Sequence, residues 1–215
     1  MVIIAPRLYI KKVFFLIKTS SPVTRQQRQG PEDKWINQTL TYLNEYGFLN
    51  MSLGRLAKEL GVSKTALNRQ FGSLDQLYAI ILARILDGDV IALKEARTRA
   101  QSVPAFFDYI LGYYLSTTTT PQARIELFVI GFREGGIYAE YSRMAGIGIR
   151  SAFSELLAAD GCPEHQLEET GDFFMSLFNG ALIQFSAWPD SRERIKTLVR
   201  TTGVSYSSIK AGWPS

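Results

Sequence analysis

The stretch that most constrains this chain runs from Ser52 to Phe71, SLGRLAKELGVSKTALNRQF. Leu53, Leu56, Ala57 and Leu60 recur at i, i+3, i+4 and i+7, which is one apolar face of a helix. Gly61 supplies the left-handed backbone position that ends such a helix. Val62 is expected to be buried at the corner, and Ser63 stands where a hydroxyl caps a second helix. Ala66, Leu67 and Phe71 turn that second helix back onto the first. Ala57 and Ala66 are small enough to let the two axes cross closely. Two short helices around a glycine corner make the pattern of a helix-turn-helix, whose second helix lies in the major groove of DNA.

Subtracting the apolar face of the second helix leaves Lys64, Thr65, Asn68 and Arg69 pointing outward. Arg suits guanine and Asn suits adenine, while Lys and Thr reach phosphates or base edges. With Ser52, Arg55 and Ser63 at the two helix starts, they form the candidate DNA-contact set. The competing interpretation is a helical hairpin with an ordinary solvated face, but the Leu-Ala-x-x-Leu-Gly-Val-Ser run specifies the corner closely.

The charge is unevenly spread. The chain has 215 residues and a formal net charge of +4. Residues 1–30 hold six Lys or Arg and no acid, which leaves 18 basic against 20 acidic residues in the remainder. Attraction of DNA by the folded part therefore rests on local placement of Arg55, Lys58, Lys64 and Arg69. The opening 30 residues read either as a basic arm reaching along the DNA backbone or, preferably, as an extension without a task, such as an over-long start assignment would add. Their apolar runs fall well short of the roughly 18 residues of a membrane span. A single Cys excludes an intrachain disulfide framework and fits a reducing, cytoplasmic setting. Cys162 and the one His, His165, are too few to hold zinc or build a catalytic triad. No metal, cofactor or catalytic residue is expected.

Past the corner the chain reads as helices between breakers. Pro31 opens a first helix, with Ile36, Leu40 and Leu43 inward, and Gly47 ends it. Ser73-x-x-Gln76 is a capping box for a long helix to about Ala100, with Leu77, Ile81, Ile85 and Ile91 inward. Further helices are expected from Pro104 to about Ser116, Pro121 to Glu134, Ala139 to Ala159 and Pro163 to Ala187. The last runs from a capping box at Asp190 to about Thr202. No period-two alternation is sustained, so the fold class is all-α.

Two C-terminal stretches carry functional expectations. Among the aromatic residues of the middle helices, Phe106, Tyr109, Tyr113, Phe128 and Phe132 are candidates to line a cavity, with Asn179 as a polar partner. Arg124, Glu126, Arg133 and Gln184 are further polar candidates; ordinary core filling is the alternative for most of the aromatics. From Phe173 to Trp188 there is no charge. A helix apolar all round must be buried all round, which suggests core on one side and a second subunit on the other. Phe174, Phe178, Ala181 and Phe185 form a stripe suited to that interface.

From Pro31 to Arg84 the chain resembles the TetR family of bacterial transcriptional regulators. Ala57, Gly61-Val62-Ser63, Leu67, Phe71, Ser73, Asp75 and Leu77 carry the resemblance. Asn68 and Leu74 depart from it, standing where the family usually has a Tyr and often a Lys that touch backbone phosphate. The resemblance implies a DNA-binding head over residues 31–75 and a helical ligand-binding and dimerisation body over residues 76–215. It also implies a homodimer on a pseudo-palindromic double-stranded operator, and a repressor released by a small, largely apolar effector. A regulator without a ligand, an activator, and an enzyme with an appended head are the alternatives.

Overall fold

The computed structural model describes residues 31–117, 119–187 and 192–213. The basic stretch 1–30 and the expected cap at Asp190 lie outside the described residues. The chain forms two compact units, Met1–Asn37 and Gln38–Ser215. Of the first, the opening turns of one helix are described; everything below concerns the second.

The fold is all-α: the described residues contain nine α-helices, one 3-10 turn and no strand. These are α1 (Pro31–Tyr46), α2 (Leu53–Glu59), α3 (Lys64–Phe71), α4 (Leu74–Arg99), α5 (Val103–Ser116), α6 (Pro121–Glu134), α7 (Gly136–Ala159), α8 (Leu167–Ala187) and α9 (Arg192–Ala211). Local chemistry sets most of the starts. The hydroxyls of Ser52, Ser63, Ser73, Ser102 and Thr120 each accept a hydrogen bond from the backbone N–H three residues on, at 3.0–3.4 Å. Each cap satisfies a donor that the first helical turn cannot.

Three boundaries differ from expectation. α7 begins at Gly136 rather than Ala139. A 3-10 turn, Glu164–Gln166, intervenes before α8. α9 continues through Gly203 to Ala211 because Thr202 and Tyr206 are buried and the Tyr206 hydroxyl donates to Asp160. Packing there outweighs the poor helix propensity of the Thr201–Gly203 run.

The core lies between α4, α5, α7, α8 and α9 and is dominated by phenylalanine. Phe106 meets Phe153 edge-on at 5.0 Å, Phe107 meets Phe178 edge-on at 6.2 Å, and Phe153 stacks on Phe174 at 5.9 Å. Such pairs add to the area they bury. α4 has 26 residues, about 39 Å at ~1.5 Å per residue. Leu77, Ile81 and Ile85 turn inward as expected, whereas Ile91 is 58% exposed. The inward row after Ile85 continues instead through Asp89, Ala92 and Ala96.

Candidate nucleic-acid interface

α2 and α3 are joined by a corner that the backbone closes by itself. Gly61 N donates to Lys58 O at 3.2 Å and Val62 N to Ala57 O at 2.9 Å, with Gly61 at φ +65°. These two bonds satisfy carbonyls at the end of α2 and force the chain round. Leu56 and Ala57 of α2 and Leu67 and Phe71 of α3 are buried, while Val62 is half-buried rather than buried. Ser52, Arg55, Ser63, Lys64, Thr65, Asn68 and Arg69 are all exposed. Ser52 and Lys64 come together over Gly54, where an added Cβ would lie 2.9 Å from Lys64 Cε and 4.0 Å from Ser52 Oγ. Arg55 Nη1 donates to the Asn50 carbonyl at 2.9 Å, which ties that guanidinium to the preceding loop. One side of α3 is thus used up in packing, and the other presents donors with no apolar residue among them.

The loop before α2 is held from a distance. α1 ends with Gly47 at φ +79°, whose N–H returns to Leu43 O at 2.9 Å. The next N–H, that of Phe48, donates to Glu126 Oε2 at 2.7 Å. The Tyr78 hydroxyl donates to the Phe48 carbonyl at 3.3 Å, and the two rings stack at 6.0 Å. Just before α6, Thr120 N donates to Asn44 Oδ1 at 3.0 Å. Burial pushes the Tyr78 phenol far above its ordinary range, and burial beside Asp75 and Glu134 pushes Tyr138 up to about 12.

Residues 36–80 match the family of bacterial regulatory proteins of the tetR type. That match spans the helix-turn-helix and the helices on either side of it. Solved structures share the fold over most of the chain. A protein from Pseudomonas aeruginosa PAO1 assigned to the transcriptional regulators superposes with a TM-score of 0.71 at 18% identity, covering 88% of this chain and 96% of that one. A TetR transcriptional regulator from Legionella pneumophila gives 0.65 at 14% identity, over 82% and 99%. A TetR transcription regulator from Haloarcula marismortui ATCC 43049 gives 0.63 at 18% identity, over 85% and 98%. No curated protein matches the chain in sequence.

The six expected cavity residues are not gathered round one space. Phe106 is packed solidly in the core. Tyr109 donates to Glu95 at 2.8 Å near the surface, and Asn179 is exposed. Phe128 and Phe132 are 63% and 88% exposed on the outer side of α6. Tyr113 alone of the six lines a half-open cavity of about 80 Å³, together with Leu40, Arg84, Gly88, Thr119 and Arg124. The expected interface stripe also turns inward. Phe174, Phe178 and Ala181 are core residues and Phe185 is half-buried, so the α8 face left to solvent carries Phe173 and Ile183 instead. Periodicity cannot separate two apolar faces of one helix, which is why the stripe could not be assigned.

Sequence reading missed Asp89, although an acid in register with Ile85 and Ala92 is a signal for a buried charge. Its carboxylate accepts from Arg124 Nη1 at 2.8 Å and Nη2 at 2.9 Å, and from the hydroxyls of Tyr113 at 3.3 Å and Tyr141 at 3.5 Å. Arg124 Nε donates to Thr119 O, and the guanidinium lies 4.1 Å from the centre of the Tyr114 ring. Burial works against the Arg124 charge, but Tyr141 and Asp89 outweigh it and push its pKa up. Of the other polar candidates, Arg133 pairs with Glu134 on the surface and Gln184 is exposed. Cys162 is buried with its Sγ 3.7 Å from Pro163 O, and His165 is exposed beside Gln166. No described helix is long and apolar enough to cross a membrane.

Proposed function

We propose that this chain is a homodimeric repressor that binds a pseudo-palindromic operator and leaves it when a small effector enters the helical body. The observation that carries the reading is the exposed row Lys64, Thr65, Asn68 and Arg69 on a helix whose opposite side is locked into the fold by Leu67 and Phe71. Asn68 and Arg69 are the base readers, with Ser52, Arg55, Ser63, Lys64 and Thr65 towards the phosphates. Residues 31–75 act as the head and residues 76–215 as the body. The exposed apolar residues Phe173 and Ile183 of α8 support pairing of two bodies.

An effector site in the body is supported by Tyr114. Its hydroxyl is buried and has no hydrogen-bond partner among the described residues, a loss of roughly 1–3 kcal/mol that a bound polar group would restore. The cavity of about 80 Å³ beside Arg124 is small against the ~300–1,000 Å³ of a drug-sized site. An effector of that size therefore requires the body to open, and it shifts DNA affinity only through its preference for the opened form.

Selection of bound sequences from random double-stranded DNA by the purified chain tests the reading. Two inverted half-sites, with centres about 34–36 Å or a multiple apart, are the expected result. Enrichment of no sequence, at salt low enough to retain DNA, would rule the proposal out.

A further inference from the structure

Among the described residues, five helices end on a glycine at positive φ: Gly47, Gly61, Gly72, Gly135 and Gly161. After Gly61 and Gly161 the following N–H returns to its own helix, Val62 to Ala57 O and Cys162 to Leu157 O, both at 2.9 Å. These are self-contained closures of a helix end. After Gly47 the equivalent N–H, that of Phe48, leaves its helix and bonds Glu126, 78 residues away. Phe48 is buried, so its N–H depends on a partner within the fold. A Cβ on Gly47 would collide with the Glu126 carboxylate, so the glycine makes room for it.

We infer that Glu126 is a positioning residue for DNA reading: α6 holds the end of α1 by the Glu126–Phe48 and Thr120–Asn44 bonds and so fixes the direction in which the α2–α3 pair is presented. The inference rests on the proposed function and names the contact through which the body sets the head. Asn44 and Phe48 are one helical turn apart, and both are held from α6, by Thr120 and Glu126. The same helix carries Arg124, anchored to Asp89 and Tyr141 in the body. A rotation of α6 therefore cannot leave the head contact unchanged. Two opposing effects make the contact releasable. A carboxylate strengthens a hydrogen bond it accepts, but here it faces the negative C-terminal end of α1, which disfavours it.

The test uses full-length Glu126→Ala, Glu126→Gln and Asn44→Ala. Binding is measured to the DNA selected by the parent and to unrelated DNA, alongside amide exchange at Phe48. Glu126→Ala is expected to bind the selected DNA about tenfold more weakly, a difference of about 1.4 kcal/mol, with binding to unrelated DNA unchanged and Phe48 exchange faster. Glu126→Gln keeps an acceptor oxygen and should recover most of the affinity; Asn44→Ala should resemble Glu126→Ala more mildly. Equal loss on selected and unrelated DNA, or faster exchange with no loss of selected binding, would overturn the positioning role. Unchanged exchange in Glu126→Ala would overturn the contact itself. Should Glu126→Ala not fold, the Gln and Asn44 variants decide by the same ratio. If the parent selects no sequence, the repressor proposal fails before any variant is compared, and the Phe48 exchange still reports on the contact.

Discussion

Arg124 grips Asp89 with two nitrogens, at 2.8 and 2.9 Å, across the gap between α6 and α4, and neither side chain reaches solvent to any extent. Two charges withdrawn from water are tolerable only as a pair.

Removing both partners should therefore cost less than the two single losses added together. Arg124→Met and Asp89→Asn are each expected to cost about 3–5 kcal/mol in chemical denaturation, because a charge or its hydrogen-bonding partners are left stranded. The Arg124→Met, Asp89→Leu double variant should lose clearly less than the two corresponding single losses added together. Additive losses would show that the two side chains are not coupled.

The proposed reading role of α3 makes a prediction that separates its residues. Arg69→Ala and Asn68→Ala should each weaken binding to the selected DNA by about 1–3 kcal/mol if the side chain meets a base edge in two places. Lys64→Ala should weaken selected and unrelated DNA alike and reduce the salt dependence by about one ion. Parent-like binding by all three would remove α3 as the reader.

Alkali should unfold the protein through its buried phenols. Burial raises Tyr78, Tyr113, Tyr114, Tyr138 and Tyr141, with Tyr138 at about 12. Below the ordinary tyrosine value of about 10 both folded and unfolded chains keep the proton, so these groups give no pH dependence. Above it the unfolded chain releases protons that the folded chain retains, and stability falls as pH rises towards 12 and beyond. Denaturation midpoints should thus be flat in these groups near neutrality and decline from about pH 10, together with late tyrosinate absorbance. Phenol ionisation complete near pH 10 in the folded protein would contradict the burial.

Two substitutions on α8 distinguish core from interface. Ala181→Asp buries an unpaired charge among Phe174, Phe178 and Leu182 and should prevent folding. Ile183→Asp, at an exposed position, should keep the helical signal and shift sedimentation from dimer to monomer. A folded Ala181→Asp protein, or a dimeric Ile183→Asp protein, would contradict this assignment of faces.

Most helices could be read from short-range chemistry, because their starts are written in single hydroxyls such as Ser63 and their ends in glycines such as Gly61. What could not be read depends on partners far along the chain. Nothing local marks Glu126 as the acceptor for Phe48, or tells the Phe174 side of α8 from the Phe173 side. Phe128 and Phe132 resemble core residues in every local respect, and only the packing of α6 turns them outward. Asp89 was legible in principle, as an acid on an apolar face.

The dependence of Phe48 on Glu126 bears on building chimaeras. A hybrid regulator is usually imagined as one cut in sequence, with the DNA-reading segment of one protein joined to the sensing segment of another. Here such a cut anywhere between α3 and α6 would leave Gly47 and Phe48 on one parent and Glu126 and Thr120 on the other. A transplant of residues 31–75 into a foreign body would need a carboxylate grafted into the recipient's sixth helix and a backbone donor placed just before it.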